Sequence, residues 1–114
     1  MNDREIDIRP DIHCFARIFN LIVHYELGND ELLEYLGKST SRLLTKRQRL
    51  YKVETALLNF FQKTLPKIIG QKELDLAFKD LKKELEQIFK DPFERKALEY
   101  FDFISWLESK ISYQ

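Results

Sequence analysis

With 114 residues the chain has the length of one ordinary domain, able to hide roughly two thirds of the surface its unfolded form exposes. Its 19 basic and 19 acidic side chains cancel, so it lacks the overall basic character usual in nucleic-acid-binding domains. A single cysteine, Cys14, excludes an internal disulfide, and only three glycines and three prolines argue for helices and against turn-rich sheets.

Residues 1–10 alternate charges with isolated isoleucines, which is not the basic and then apolar pattern of a signal peptide. The longest apolar runs are a few residues, against the ~20 that a membrane-crossing helix requires. The reading is a cytoplasmic chain without membrane contact, one helical domain over 1–114, with 1–9 a loosely ordered extension.

Residues 11–27 place Ile12, Phe15, Ala16, Phe19, Ile22, Val23 and Leu27 at spacings of three and four, which predicts a helix with one buried stripe. Gly28 can take the left-handed conformation at its end, and Asn29 or Asp30 can cap the next helix, so a tight helical hairpin follows. The second helix runs from about Asp30 to about Lys46, with Leu32, Leu33, Leu36, Leu43 and Leu44 facing inward. Asp30, Glu31 and Glu34 complement its positive N-terminal end. Gly37, Ser39, Thr40 and Ser41 are mediocre helix formers and predict a kink or a close approach by a neighbour.

A third helix carries Leu50, Val53, Leu57, Phe60, Phe61 and Leu65 and ends near Pro66, because proline disfavours helical geometry in the residue before it. No glycine or proline marks where it parts from the second. After a loop through Gly70, the fourth helix shows the cleanest stripe: Leu74, Ala77, Phe78, Leu81, Leu85 and Ile88. Asp91-Pro92-Phe93-Glu94 then reads as a capping box, with Asp91 as N-cap, Pro92 in the first turn and Glu94 reaching back. The fifth helix runs from about Pro92 to Ile111 on a stripe of Phe93, Ala97, Tyr100, Phe101, Ile104, Leu107 and Ile111. At about 100° per residue, Phe103 lies on the flank of that stripe, and Leu98 and Trp106 lie nearer the charged side. Those three are surplus to one core. They are either its edge or anchors of a contact surface.

No motif supports an active site. Gly37-Lys38-Ser39 lacks the earlier glycine of a phosphate loop, where Leu32 stands, and lacks the preceding strand. His13 and His24 lie ~16 Å apart along one helix and cannot chelate one ion together with Cys14. No pair of carboxylates stands out for acid-base work. The chain reads as a non-enzyme, with no cofactor and no metal.

Charge is distributed unevenly. Residues 1–37 hold three basic and eight acidic groups, 38–72 hold nine and one, and 73–114 hold seven and ten. Arg42, Lys46, Arg47, Arg49 and Lys52 fall in a stretch with no acid between Tyr35 and Val53. Such a rim can serve the fold by pairing within the chain, take an acidic segment of another protein, or bind nucleic acid.

The stretch Tyr25-Glu26-Leu27-Gly28-Asn29 between two amphipathic helices is similar to the turn of a tetratricopeptide repeat, and a register of about 34 residues carries Arg17 to Tyr51. Aligned on Gly28, the family's packing positions fall on Asn20, Leu21, Leu33, Gly37 and Thr40, of which only Thr40 is near the expected size. Asp91-Pro92-Phe93-Glu94 to Ser105-Trp106-Leu107-Glu108 resembles the C-terminal end of larger helical-repeat proteins of Bacteroidetes-type bacteria. That second resemblance implies a capping role for the fifth helix, in a terminal piece or a freestanding relative, and no activity.

The expectation is an all-α protein of about five antiparallel helices, two stacked hairpins closed by a C-terminal cap, acting as a protein-interaction or scaffolding module. Its expected contact residues are Arg42, Lys46, Arg47, Arg49, Lys52, Leu98, Phe103 and Trp106. The alternatives are a nucleic-acid-associated regulator using 38–52, and a homodimer joined through the fifth helix.

Overall fold

The computed structural model describes residues 9–46 and 51–111. The expected extension, Arg47, Arg49, Leu50 and the junction between the second and third helices lie wholly or largely outside them. Among the described residues the chain is all-α, with no strand. Helix α1 spans Arg9–Leu27, α2 Asp30–Thr45, α3 Lys52–Asn59, α4 Gln71–Ile88, α5 Pro92–Arg95 and α6 Phe103–Lys110.

The α1–α2 turn forms as its residues dictate. Gly28 takes φ 73°, its N–H donates to the Tyr25 carbonyl at 3.1 Å, and the Asn29 N–H donates to the His24 carbonyl at 3.0 Å. Two of the carbonyls left open by the helix end are thereby satisfied. The side chain of Asn29 makes no cap bond and instead meets His24 Nδ1 at 3.1 Å.

The buried side of α1 is Cys14, Phe15, Ile18, Leu21 and Ile22, while Ala16, Phe19 and Leu27 are exposed. The expected stripe is thus rotated by roughly a third of a turn. Apolar residues lie on more than one side of α1, so spacing admits two overlapping stripes, and packing against α2 and α3 selects between them.

Helix α2 turns Leu33, Gly37, Thr40 and Leu44 inward. A Cβ on Gly37 would stand 3.1 Å from Gln62 Cγ, so the weak middle of α2 marks a close approach. The hydroxyl of Thr40 is fully buried and makes no hydrogen bond among the described residues. Thr40→Val keeps the shape and removes that unsatisfied group. It is expected to stabilise the protein by about 1 kcal/mol, read as a raised urea midpoint at unchanged slope.

After α3 the chain widens into a π turn, Phe60–Thr64, with the Leu65 N–H donating to the Phe60 carbonyl, and tightens into a 3₁₀ turn, Leu65–Lys67. The wide turn immediately precedes Pro66, whose ring would clash with the carbonyl four residues back in a regular helix. It also lets Phe60 and Phe61 both point inward, with ring centroids 5.5 Å apart. Phe78 of α4 is completely buried and meets the rings of Phe60 at 5.1 Å, Trp106 at 5.8 Å and Tyr25 at 6.0 Å.

The predicted fifth helix is broken. Helix α5 runs into a 3₁₀ turn, Lys96–Glu99, and the chain restarts at α6. Asp102 caps α6: its Oδ1 accepts from the Ser105 N–H at 3.0 Å, and its Oδ2 accepts from Ser105 Oγ at 2.7 Å. These bonds hold the Asp102 carboxyl below its ordinary range, the backbone bond contributing most. The restart resets the helical phase. Phe103, Trp106 and Leu107 therefore face the core, and Tyr100 of the expected stripe is exposed.

The capping box at Asp91 forms only by half. Asp91 Oδ1 accepts from the Phe93 N–H at 2.9 Å, with Pro92 in the first turn as expected. Glu94 does not reach back to its own helix. Its carboxylate crosses to the start of α3, Oε2 accepting from the Lys52 N–H at 2.9 Å and Oε1 from the Val53 N–H at 3.2 Å. Glu54 Oε1 accepts from the Tyr51 N–H at 3.1 Å, so the donors left open at the start of α3 are taken up by two buried carboxylates. Tyr51 is stacked on Phe93, with centroids 4.4 Å apart and planes 2° from parallel, and closes the junction.

Candidate functional site

Helix α2 sorts its charges along its length. Asp30 and Glu31 occupy the first turn and Arg42 the last, an arrangement that the helix dipole favours at both ends. It sorts its faces as sharply. Opposite the buried row of Leu33, Gly37, Thr40 and Leu44 lies an exposed row of Glu31, Tyr35, Lys38, Arg42 and Lys46, one residue per turn. Lys38, Arg42 and Lys46 are four residues apart in sequence, hence roughly 6 Å between neighbours. None of the three enters an ion pair among the described residues, where the pairs formed are Lys82 with Glu86 and Glu108, and Lys110 with Glu26.

Two apolar side chains accompany this row. Tyr35 is 62% exposed, and Leu32, on the flank, is 41% exposed. Dipole effects account for Asp30, Glu31 and Arg42 at the ends of α2, but not for Lys38 at its middle nor for these two apolar side chains. On the other flank, Glu34 and Lys38 border a groove of about 550 Å³ whose apolar wall includes Leu33, Phe61, Leu65 and Pro66.

The expected contact residues divide. Arg42 and Lys46 stand on the outward row of α2, and Lys52 is exposed at the first turn of α3. Arg47 and Arg49 lie outside the described residues. Leu98, in the 3₁₀ turn, is 36% exposed. Phe103 and Trp106 belong to the core, Trp106 packed on Phe78 and Phe61, because the phase resets at Asp102. That is a correction: these two side chains fill the core and are not surplus to it.

Sequence reasoning passed over Tyr35 and placed Leu32 inward, a correction, since Leu32 lies on the flank of the buried row and is exposed. It also treated Phe19 and Tyr100 as core. Both are exposed, Phe19 edge-on to Phe101 at 5.1 Å and Tyr100 stacked on Phe15 at 4.9 Å.

Among the described residues no group of three or more His, Cys, Asp and Glu side chains could hold a metal ion. His13 is exposed, Cys14 is buried in the α1 core and His24 faces Asn29. Burial, with the charges of Glu26 and then Asp30, holds the Tyr25 phenol above its ordinary range, a consequence of packing against Phe61 and Phe78. Among the described residues no helix is long and apolar enough to cross a membrane. Compared with family models, curated proteins and solved structures, the chain matches none.

Proposed function

We propose that this chain is a non-enzymatic protein-interaction module of helical-hairpin type that offers the outward face of α2 to an acidic protein segment. The observation that carries the reading is the row of Lys38, Arg42 and Lys46, exposed, one turn apart and free of ion pairs among the described residues, with the Tyr35 ring beside it. An extended or helical segment with carboxylates at a similar repeat would neutralise the row while its apolar side chains cover Tyr35 and Leu32. Charge would set its orientation and on-rate, and the aromatic would supply the anchor. The resemblance of the α1–α2 turn to a tetratricopeptide hairpin suits the same role.

The test is a titration of a fluorescent glutamate-rich peptide, and separately of a DNA duplex, into the wild type and into Arg42→Glu/Lys46→Glu. Wild type is expected to bind the peptide, and the double variant to lose roughly tenfold or more in affinity, as attraction becomes repulsion at two positions. Equal peptide binding by both removes α2 from the reading. Duplex binding that falls steeply with salt, with no peptide binding, replaces it with a nucleic-acid role.

A further inference from the structure

The outward row of α2 is complementary to itself. Within the helix proper, which Lys46 follows as its C-cap, the row runs from acid to aromatic to base: Glu31, Tyr35, Lys38, Arg42. An antiparallel copy, related by a two-fold axis level with the Leu36–Gly37 peptide, sets Glu31 of each chain opposite Arg42 of the other. The same operation sets each Tyr35 opposite the other chain's Lys38. Four contacts arise from two residue pairs, as an isologous interface requires.

We propose that the partner of this face is α2 of a second copy of the chain, whose acidic first turn meets the basic last turn, docked antiparallel in a weak two-fold dimer. This rests on the interaction-module reading and names its partner. Three features on α2 favour a second copy. Its charges change sign about its midpoint, so the antiparallel arrangement pairs every charged residue of the row from Glu31 to Arg42 with an opposite charge or a ring, whereas a parallel one in register sets like against like. Antiparallel docking also opposes the two helix dipoles, end against end. And the exposed ring of Tyr35 lies next to the axis, which brings both copies of it together, with Leu32 on the flank of the same stretch. A lysine ammonium over a tyrosine ring is a favourable contact, and the lysine stem covers the ring's apolar surface.

The face is one helix wide, well short of the area of a standard stable interface, so the association is concentration-dependent. Its charged contacts are rim-exposed and lose strength as salt rises.

Sedimentation equilibrium tests the pairing on the wild type, Glu31→Arg, Arg42→Glu, the double variant carrying both, and an equimolar mixture of the two singles. Circular dichroism establishes that each variant keeps its helix content. The wild type is expected to dimerise with rising concentration at low salt. Each single variant should weaken dimerisation by roughly tenfold or more, because one substitution makes two like-charge contacts across the axis. The mixture and the double variant should both recover it, since each again sets arginine opposite glutamate at both ends. Tyr35→Ser should weaken it without recovery in any mixture.

A wild type that stays monomeric to about 1 mM overturns the dimer. Peptide titration of that monomer separates the two readings: peptide bound through Arg42 leaves the acidic-partner reading standing, and peptide unbound removes both. Dimerisation that both single variants keep unchanged also overturns the proposal, because the contact then lies elsewhere.

Discussion

Glu94→Ala is expected to cost the protein about 3 kcal/mol, the effect of leaving two N–H groups at the start of α3 without the charged acceptor that holds both. For a chain of this size that is a fall of roughly 10–20 °C in the melting midpoint. The carboxylate is 2% exposed, so water does not simply take its place. Its two oxygens act together on successive residues, Lys52 and Val53, where the α3 dipole also favours negative charge. Glu94→Gln separates these contributions. It keeps one acceptor oxygen but turns an amide donor toward a backbone donor, so it should lie between wild type and alanine. If Glu94 were an ordinary surface acid, both substitutions would change stability by no more than a few tenths of a kcal/mol, and a denaturant titration distinguishes these outcomes.

Phe78→Ala is the larger perturbation, expected to cost about 4 kcal/mol as buried ring area is lost and a cavity opens. Phe78 has no exposed surface, and it is the ring on which Tyr25 of α1, Phe60 at the end of α3 and Trp106 of α6 converge. Removing it loosens three elements at once, beyond what its area alone implies. Phe78→Leu fills much of the space and keeps the measurement possible should the alanine variant fail to fold. Tryptophan fluorescence offers a local readout, because Trp106 loses its edge-on neighbour while retaining Phe61.

Features specified by adjacent residues were legible in the sequence. The turn at Gly28, the Asp91-Pro92 start and the stripe of Phe78, Leu81 and Leu85 each depend on a few positions in one stretch, and each forms as spacing implies. What depends on distant partners was not. Glu94 fits a capping box by spacing, and only the fold shows that the N–H groups of Lys52 and Val53 compete for it and win. The break at Asp102 had a local signal, an aspartate followed three residues later by a serine, but the apolar run from Phe93 to Ile111 also fits one continuous helix. Without glycine or proline to interrupt it, periodicity chose the simpler reading and placed Phe103 and Trp106 outside. On α2 the cations were visible as a run of like charge, whereas Tyr35 became visible only once the buried face of the helix was known.

The reach of Glu94 across to α3 also bears on the order in which the protein can assemble. In arrays of stacked hairpins each unit is closed by its immediate neighbours, so the array can grow or fray one unit at a time. Here the opening turn of α3 receives its acceptors from a residue 41 or 42 positions later. The middle of the chain is therefore finished only when the final third has docked, which ties formation and loss of structure into one event rather than a succession of hairpins.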